Sequence, residues 1–121
     1  MCTLLIGVSQ NTDRISNKVA RLMIKMGKCV YLLGRNIGVV SGVNIDVGFP
    51  SYDHIDTVSM YLNPRNQILY YDYVINLNPR RVIFNPGTEN KEFYALLGTK
   101  GIRYEEACTM VMLMSGQYDD V

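Results

Sequence analysis

"LLIGVSQNTDRISNKVARLMIKM", residues 4 to 26, changes its hydrophobic rhythm once, at a polar turn, and that change decides the fold. From Thr3 to Val8 the chain is a nearly continuous apolar run of strand length, as expected where a strand is covered on both faces. From Ser16 onward the apolar residues fall at Val19, Leu22, Met23 and Met26, the spacing of one helical face. Ser16 is the expected N-cap and Gly27 the expected stop.

The alternation continues outward. Cys29 to Leu33 reads as a second buried strand. "GRNIGVVSGVNIDVGFPSYDHID", residues 34 to 56, holds several glycines, one proline and only short apolar pieces, and reads as loop with at most one short edge strand. Thr57 to Leu62 is strand-like, and Asn63-Pro64 supplies a cap and a first-turn proline for a helix running to about Leu77. Ile68, Tyr71, Val74 and Ile75 give that helix one apolar face. Arg81 to Phe84 is a strand, "NPGTEN" a turn, and Glu89 to Lys100 a helix stopped by Gly101. Thr88 is the expected cap of that helix. Ile102 to Glu105 is a last short strand, followed by "CTMVMLM".

Strands alternating with helices favour a parallel sheet covered on both faces. Right-handed crossovers then make an α/β, doubly wound, mostly parallel Rossmann-like sheet of about five strands, with residues 1 to 121 forming one domain. In such sheets ligands bind at the carboxyl ends of the strands, where strand order reverses.

Composition excludes several function classes. At 121 residues and 48 % hydrophobic content the chain can bury a core without staples. Twelve basic and 11 acidic residues leave a formal charge of +1, so no global field draws nucleic acid or a membrane surface. No stretch approaches the roughly 18 apolar residues of a spanning helix. Cys2, Cys29 and Cys108 are widely spaced and His54 is the one histidine, so neither a disulfide scaffold nor a zinc module is expected. Free cysteines and the lack of a basic leader point to a cytoplasmic setting.

The opening turn, "GVSQNTDRIS", leads from a strand end into a helix amino terminus, where unpaired N–H groups and the helix dipole favour an anion. Gly7 permits close backbone approach, Ser9 and Ser16 carry hydroxyls, and Arg14 and Lys18 add positive charge. The spacing is neither the dinucleotide fingerprint nor a P-loop, so an ordinary strand-to-helix turn stays open beside a phosphate cradle. After the second strand stands Arg35, where an NAD domain carries an acidic residue. It suits a ribose phosphate, the 2′-phosphate of NADP or the 3′-phosphate of coenzyme A, or it is a surface arginine.

"IGVSQNTDRISNKV", "DTVSMYLNP", "RVIFNPGTENKEF" and "CTMVML", in that order, resemble the small stand-alone CoA-binding proteins, relatives of the CoA-binding domain of succinyl-CoA synthetase. The resemblance runs from Leu4 to about Leu113 and weakens between Gly34 and Asp56. It implies a Rossmann-like fold that holds the nucleotide part of CoA or an acyl-CoA at the switch point, with no reaction securely assigned. On that basis Gly7 and Ser9 would line the pyrophosphate turn, with Arg14, Ser16 and Lys18 around the phosphates. Tyr61, Asn63 and Pro64 would form the middle wall, and Asn85, Pro86 and Gly87 would lie near the pantetheine arm. Family members often carry an Asn-Pro-Lys-like turn after the second strand, where this chain has Gly34-Arg35-Asn36. The "NPGTEN" turn is equally explained as a helix cap.

Cys108 stands before the expected start of the last helix, a position that raises thiolate content, and is either a partner for the CoA thiol or a small buried hydrophobe. His54 lies in a loop without a nucleophile partner. Tyr70, Tyr71 and Tyr73 lack interleaved basic residues and read as helix packing, and Met110, Met112 and Met114 as core filler. The expected role is therefore non-catalytic binding of a small nucleotide ligand, with an NADP-binding redox protein as the rival. A protein partner is not indicated.

Overall fold

A computed structural model describes residues 1–119. The elements run β1 (Cys2–Ile6), α1 (Ile15–Lys25), β2 (Val30–Leu33), β3 (Gly38–Val40), β4 (Val43–Asp46), β5 (Ile55–Met60), α2 (Pro64–Gln67), a 3-10 turn (Ile68–Tyr70), α3 (Tyr71–Leu77), β6 (Arg81–Phe84), α4 (Lys91–Thr99), β7 (Arg103–Glu106) and α5 (Thr109–Met114). The strands form one sheet in the order β3-β4-β2-β1-β5-β6-β7. All neighbours pair parallel except β3 with β4.

The sheet has seven strands, two more than the periodicity indicates. Both lie in residues 34 to 56, where β3 and β4 form an antiparallel hairpin turning through Ser41 (φ 47°) and Gly42 (φ 83°). Only Val40 and Ile45 of that hairpin are buried, so it carries too short an apolar run to stand out from loop.

Alternation across the sheet makes two cores. Leu4, Ile6, Val58, Met60, Val82 and Phe84 face Tyr71 and Val74 of α3 and Phe93 and Leu97 of α4. Leu5, Leu32 and Ile83 face Val19, Ala20 and Met23 of α1 and Leu113 of α5. Tyr71 stacks on Phe93 at 4.5 Å, while Met110 and Met112 pack against the second core.

Several boundaries shift for local reasons. α1 starts one residue earlier than Ser16, with Arg14 as N-cap, because Ser16 turns its hydroxyl back to accept the Ser9 N–H. The helix after Asn63-Pro64 begins as expected, with the Asn63 side chain accepting the Asn66 N–H, but breaks into α2, a 3-10 turn and α3. Asn90, not Thr88, caps α4 by accepting the Phe93 N–H, and the Thr88 hydroxyl donates to the Asn85 carbonyl instead.

The cysteine expectation is corrected. Cys2 and Cys29 form a disulfide, leaving Cys108 as the free thiol. Parallel pairing of β1 with β2 sets Thr3 beside Val30 and brings the preceding residues to a Cα–Cα distance of 4.7 Å, a neighbourhood that a separation of 27 residues does not reveal. The cysteines therefore lend no support to a reducing compartment. Among the described residues no helix is long and apolar enough to cross a membrane.

At the amino ends of the strands, Arg81 is fully buried. It donates to the Thr57 hydroxyl (2.9 Å) and the Tyr118 carbonyl (2.6 Å), and lies over the Tyr118 ring. Tyr118 is also hydrogen-bonded to the Thr3 hydroxyl. Beside it the Arg80 guanidinium grips both Asp56 oxygens and holds that carboxyl below its ordinary range.

Candidate functional site

The carboxyl ends of β1, β2 and β5 converge because glycine stands where they cross. Gly7 has φ +101°, and a Cβ there would lie 2.9 Å from the Tyr61 carbonyl carbon. At Gly34 a Cβ would lie 2.4 Å from the Val8 carbonyl oxygen. The Gly7 and Val8 N–H groups both donate to the Leu33 carbonyl, and the Tyr61 N–H donates to that of Ile6. Backbone replaces side chain at the switch point between β1 and β5, and a cleft opens above it.

The turn from β1 to α1 is held by its own polar residues. Ser9 donates its N–H to Ser16 Oγ (3.2 Å), its carbonyl accepts from Asn17 Nδ2 (2.9 Å), and its Oγ accepts the Asn11 N–H (3.0 Å). Arg21 ties helix to turn through Asn17 Oδ1 and the Thr12 carbonyl. The amino end of α1 carries neither a side-chain cap nor an acidic residue in its first turn. Its positive pole therefore faces the cleft unscreened.

The opposite wall is braced from beneath. Buried Asn85 donates to Ser59 Oγ and the Met60 carbonyl, and accepts the Thr109 N–H, tying β5, β6 and α5 together. Gln67, with no exposed surface, donates to the Leu62 and Thr88 carbonyls and accepts from Asn90, clamping the turn after β5 to the turn after β6. Nothing in the sequence marks this glutamine, because a polar residue in a short helix ordinarily faces water.

The cleft is about 640 Å³. Of the residues singled out from sequence, Gly7, Ser9, Arg14, Arg35, Tyr61, Asn63, Pro86 and Gly87 line it. Ser16 lies just beneath as an anchor, Pro64 opens α2, and Asn85 is spent on the network described above. Lys18 is exposed one turn along α1, and Cys108 is the half-buried N-cap of α5; neither is brought to the cleft. Asn11, Asn36, Asn66 and Thr88 line it in addition, each a turn neighbour of a residue already singled out.

Two arginines and no carboxylate line this cleft. Among the described residues, neither Arg14 nor Arg35 makes a side-chain hydrogen bond or ion pair. Burial pushes the Tyr61 phenol up to about 12, against the neighbouring Ser59 and Thr109 hydroxyls, which pull it the other way. A recess of about 250 Å³ adjoins the cleft, sharing Gly7, Arg35, Leu62 and Asn66 with it and closed by Leu69 and Tyr70.

This architecture and much of this sequence occur elsewhere. A crystal structure of an uncharacterized protein is 40% identical, with a TM-score of 0.92 and 96% of each chain covered. A Thermus thermophilus protein at 15% identity superimposes with a TM-score of 0.84, over 96% of this chain and 89% of that one. A hypothetical protein from Pyrococcus horikoshii OT3 at 23% identity does so at 0.83, over 93% and 81%. The latter two share the fold alone. No curated protein matches. The family model for a CoA binding domain matches residues 2–114, nearly the whole chain, and this protein belongs to the CoA binding domain family.

Proposed function

We propose that this protein binds coenzyme A, free or as a thioester, in the cleft at the carboxyl ends of β1, β2 and β5, and performs no reaction on it. One observation carries the reading: two arginines without protein partners face a cleft that holds no carboxylate and is floored by glycine backbone at a helix amino terminus. Such a surface is complementary to a chain of phosphates, and to little else of comparable size. Arg14 and the amino end of α1 take the pyrophosphate, and Arg35 takes the ribose phosphate. The recess walled by Leu62, Leu69 and Tyr70 is mainly apolar and, at about 250 Å³, large enough for adenine. The pantetheine arm leaves past Pro86 and Gly87, where the Glu89 carboxylate is occupied by the Gly87 N–H.

The family assignment supports a CoA-related ligand, and the site's chemistry supports this placement of it. Thermal unfolding with CoA, NAD and NADP tests it, together with native mass spectrometry of protein purified without added ligand. A ligand that binds only the folded state stabilises by about 2.7 kcal/mol at a hundredfold excess over its dissociation constant. CoA is expected to raise the midpoint and NAD to leave it nearly unchanged. A strong NADP shift with none from CoA overturns the reading.

A further inference from the structure

A second and larger cavity, about 1090 Å³, lies at the β3–β4 edge of the sheet, and its chemistry is the reverse of the cleft's. Its lining includes Asp46 and Asp53 and no lysine, arginine or histidine. Tyr31 and Tyr52 form an aromatic pair at one wall, with ring centroids 4.6 Å apart and planes tilted by 36°. Ile37, Val39 and Val47 add exposed apolar surface around them. The segment from Val47 to Asp53 separates this cavity from the adenine-sized recess, which takes Gly48 from the same stretch.

The carboxylate of Asp46 is set rather than loose. The Tyr52 hydroxyl donates to its Oδ2, and the Asp46 carbonyl accepts the Gly34 N–H. Among the described residues Oδ1 accepts no hydrogen bond, so one acceptor of a positioned carboxylate is left for solvent or a ligand. Burial and this carboxylate together push the Tyr52 phenol well above its ordinary range, as a negative local field requires. Tyr73, whose hydroxyl donates to the Pro50 carbonyl, fixes the middle of the separating segment.

A carboxylate with an open acceptor, beside an aromatic wall in a cavity of mixed polarity lined by no cationic side chain among the described residues, suits a protonated or quaternary amine: the outer ring face and the carboxylate attract the same charge. We propose that this cavity is a second ligand site, for a small organic cation with an apolar or aromatic body. Asp46 accepts the ammonium, and the Tyr31–Tyr52 pair forms the wall against which the body lies. The site has the opposite charge preference to the cleft, with which it shares Gln10: the cleft repels cations through Arg14 and Arg35, and this cavity repels phosphates through Asp46 and Asp53.

The test uses three probes of one size and different charge: phenethylammonium, 2-phenylethanol and phenylacetate. Each is titrated into 15N-labelled protein without CoA, with binding read from the amide signals of Tyr31, Val39 and Asp46. Phenethylammonium is expected to shift these signals and to bind at least about tenfold more tightly than the alcohol. Phenylacetate should leave them in place. Asp46→Asn should bring ammonium and alcohol within about twofold. Equal binding of all three probes, or no shift at these residues, overturns the proposal. So do concentration-dependent shifts without any probe, which would seat a second copy of this chain on the face. Should Asp46→Asn fail to fold, Tyr31→Ala and Asp53→Asn ask the same question, and unchanged ammonium affinity in both overturns it.

Discussion

The two ends of this sheet treat polar groups in opposite ways. At the amino ends of the strands the charges face protein groups: Arg81 is buried against Thr57 and Tyr118 with the Glu105 carboxylate 3.8 Å away, and Arg80 grips Asp56. At the carboxyl ends Arg14 and Arg35 face an open cleft with no carboxylate in reach, and the chain bends through Gly7 and Gly34 to bring bare backbone to its floor. On the function proposed above, one rim serves stability and the other the ligand. Substitutions at the two rims should therefore separate folding from binding.

The largest effect is expected at the closed rim. Arg81→Ala leaves a cavity, removes the donor from the Tyr118 carbonyl and frees the ring of Tyr118, which should cost about 3–5 kcal/mol of stability. Urea denaturation measures that loss, and CoA affinity at low temperature should be unchanged. A change in affinity as large as the change in stability would erase the distinction between the rims.

Gly7→Ala sharpens the comparison because it strikes where the two roles meet. An alanine would be strained at φ +101° and its methyl would press on the backbone of Tyr61, so about 1–3 kcal/mol of stability should go. The cleft floor must also shift, so calorimetry should show CoA binding weakened beyond what the same loss of stability causes elsewhere. A variant that binds normally would mean that the floor does not touch the ligand.

The smallest effects on stability, and the cleanest on binding, belong to the open rim. Arg14→Ala and Arg35→Ala should each weaken CoA binding by about 1.5–3 kcal/mol, the scale of a charged hydrogen bond, with thermal midpoints of the ligand-free proteins unchanged. Dephospho-CoA sorts the two: it lacks the ribose phosphate, so Arg35→Ala should lose its effect with that ligand while Arg14→Ala keeps its own. Unchanged CoA affinity in both variants would remove the phosphates from this cleft.

What was readable in the sequence follows the strength of the local signal. Arg81 to Phe84 matches β6 residue for residue because four successive buried side chains have no reading except a covered strand. The Asn63-Pro64 start is equally clear, since cap and proline fix the same boundary. The β3–β4 hairpin was not legible, because its edge position leaves half of its side chains in water and erases the apolar run. In the cleft, turn residues beside glycine were visible, whereas Gln67 and the Cys2–Cys29 pairing depend on which turns and strands become neighbours. Lys18 illustrates the converse: it follows Arg14 by one helical turn, but its side chain leaves on the solvent side.

The disulfide at the amino ends has a consequence for how the protein would break. It joins Cys2 to Cys29 around the whole of the exposed turn that follows β1. Loop tips of this kind are where proteases cut. A nick between Gln10 and Arg14 would sever the central strand from everything after it, yet the two pieces would stay covalently joined through sulfur. The small fragment carrying β1 would come away only once a thiol reductant had acted.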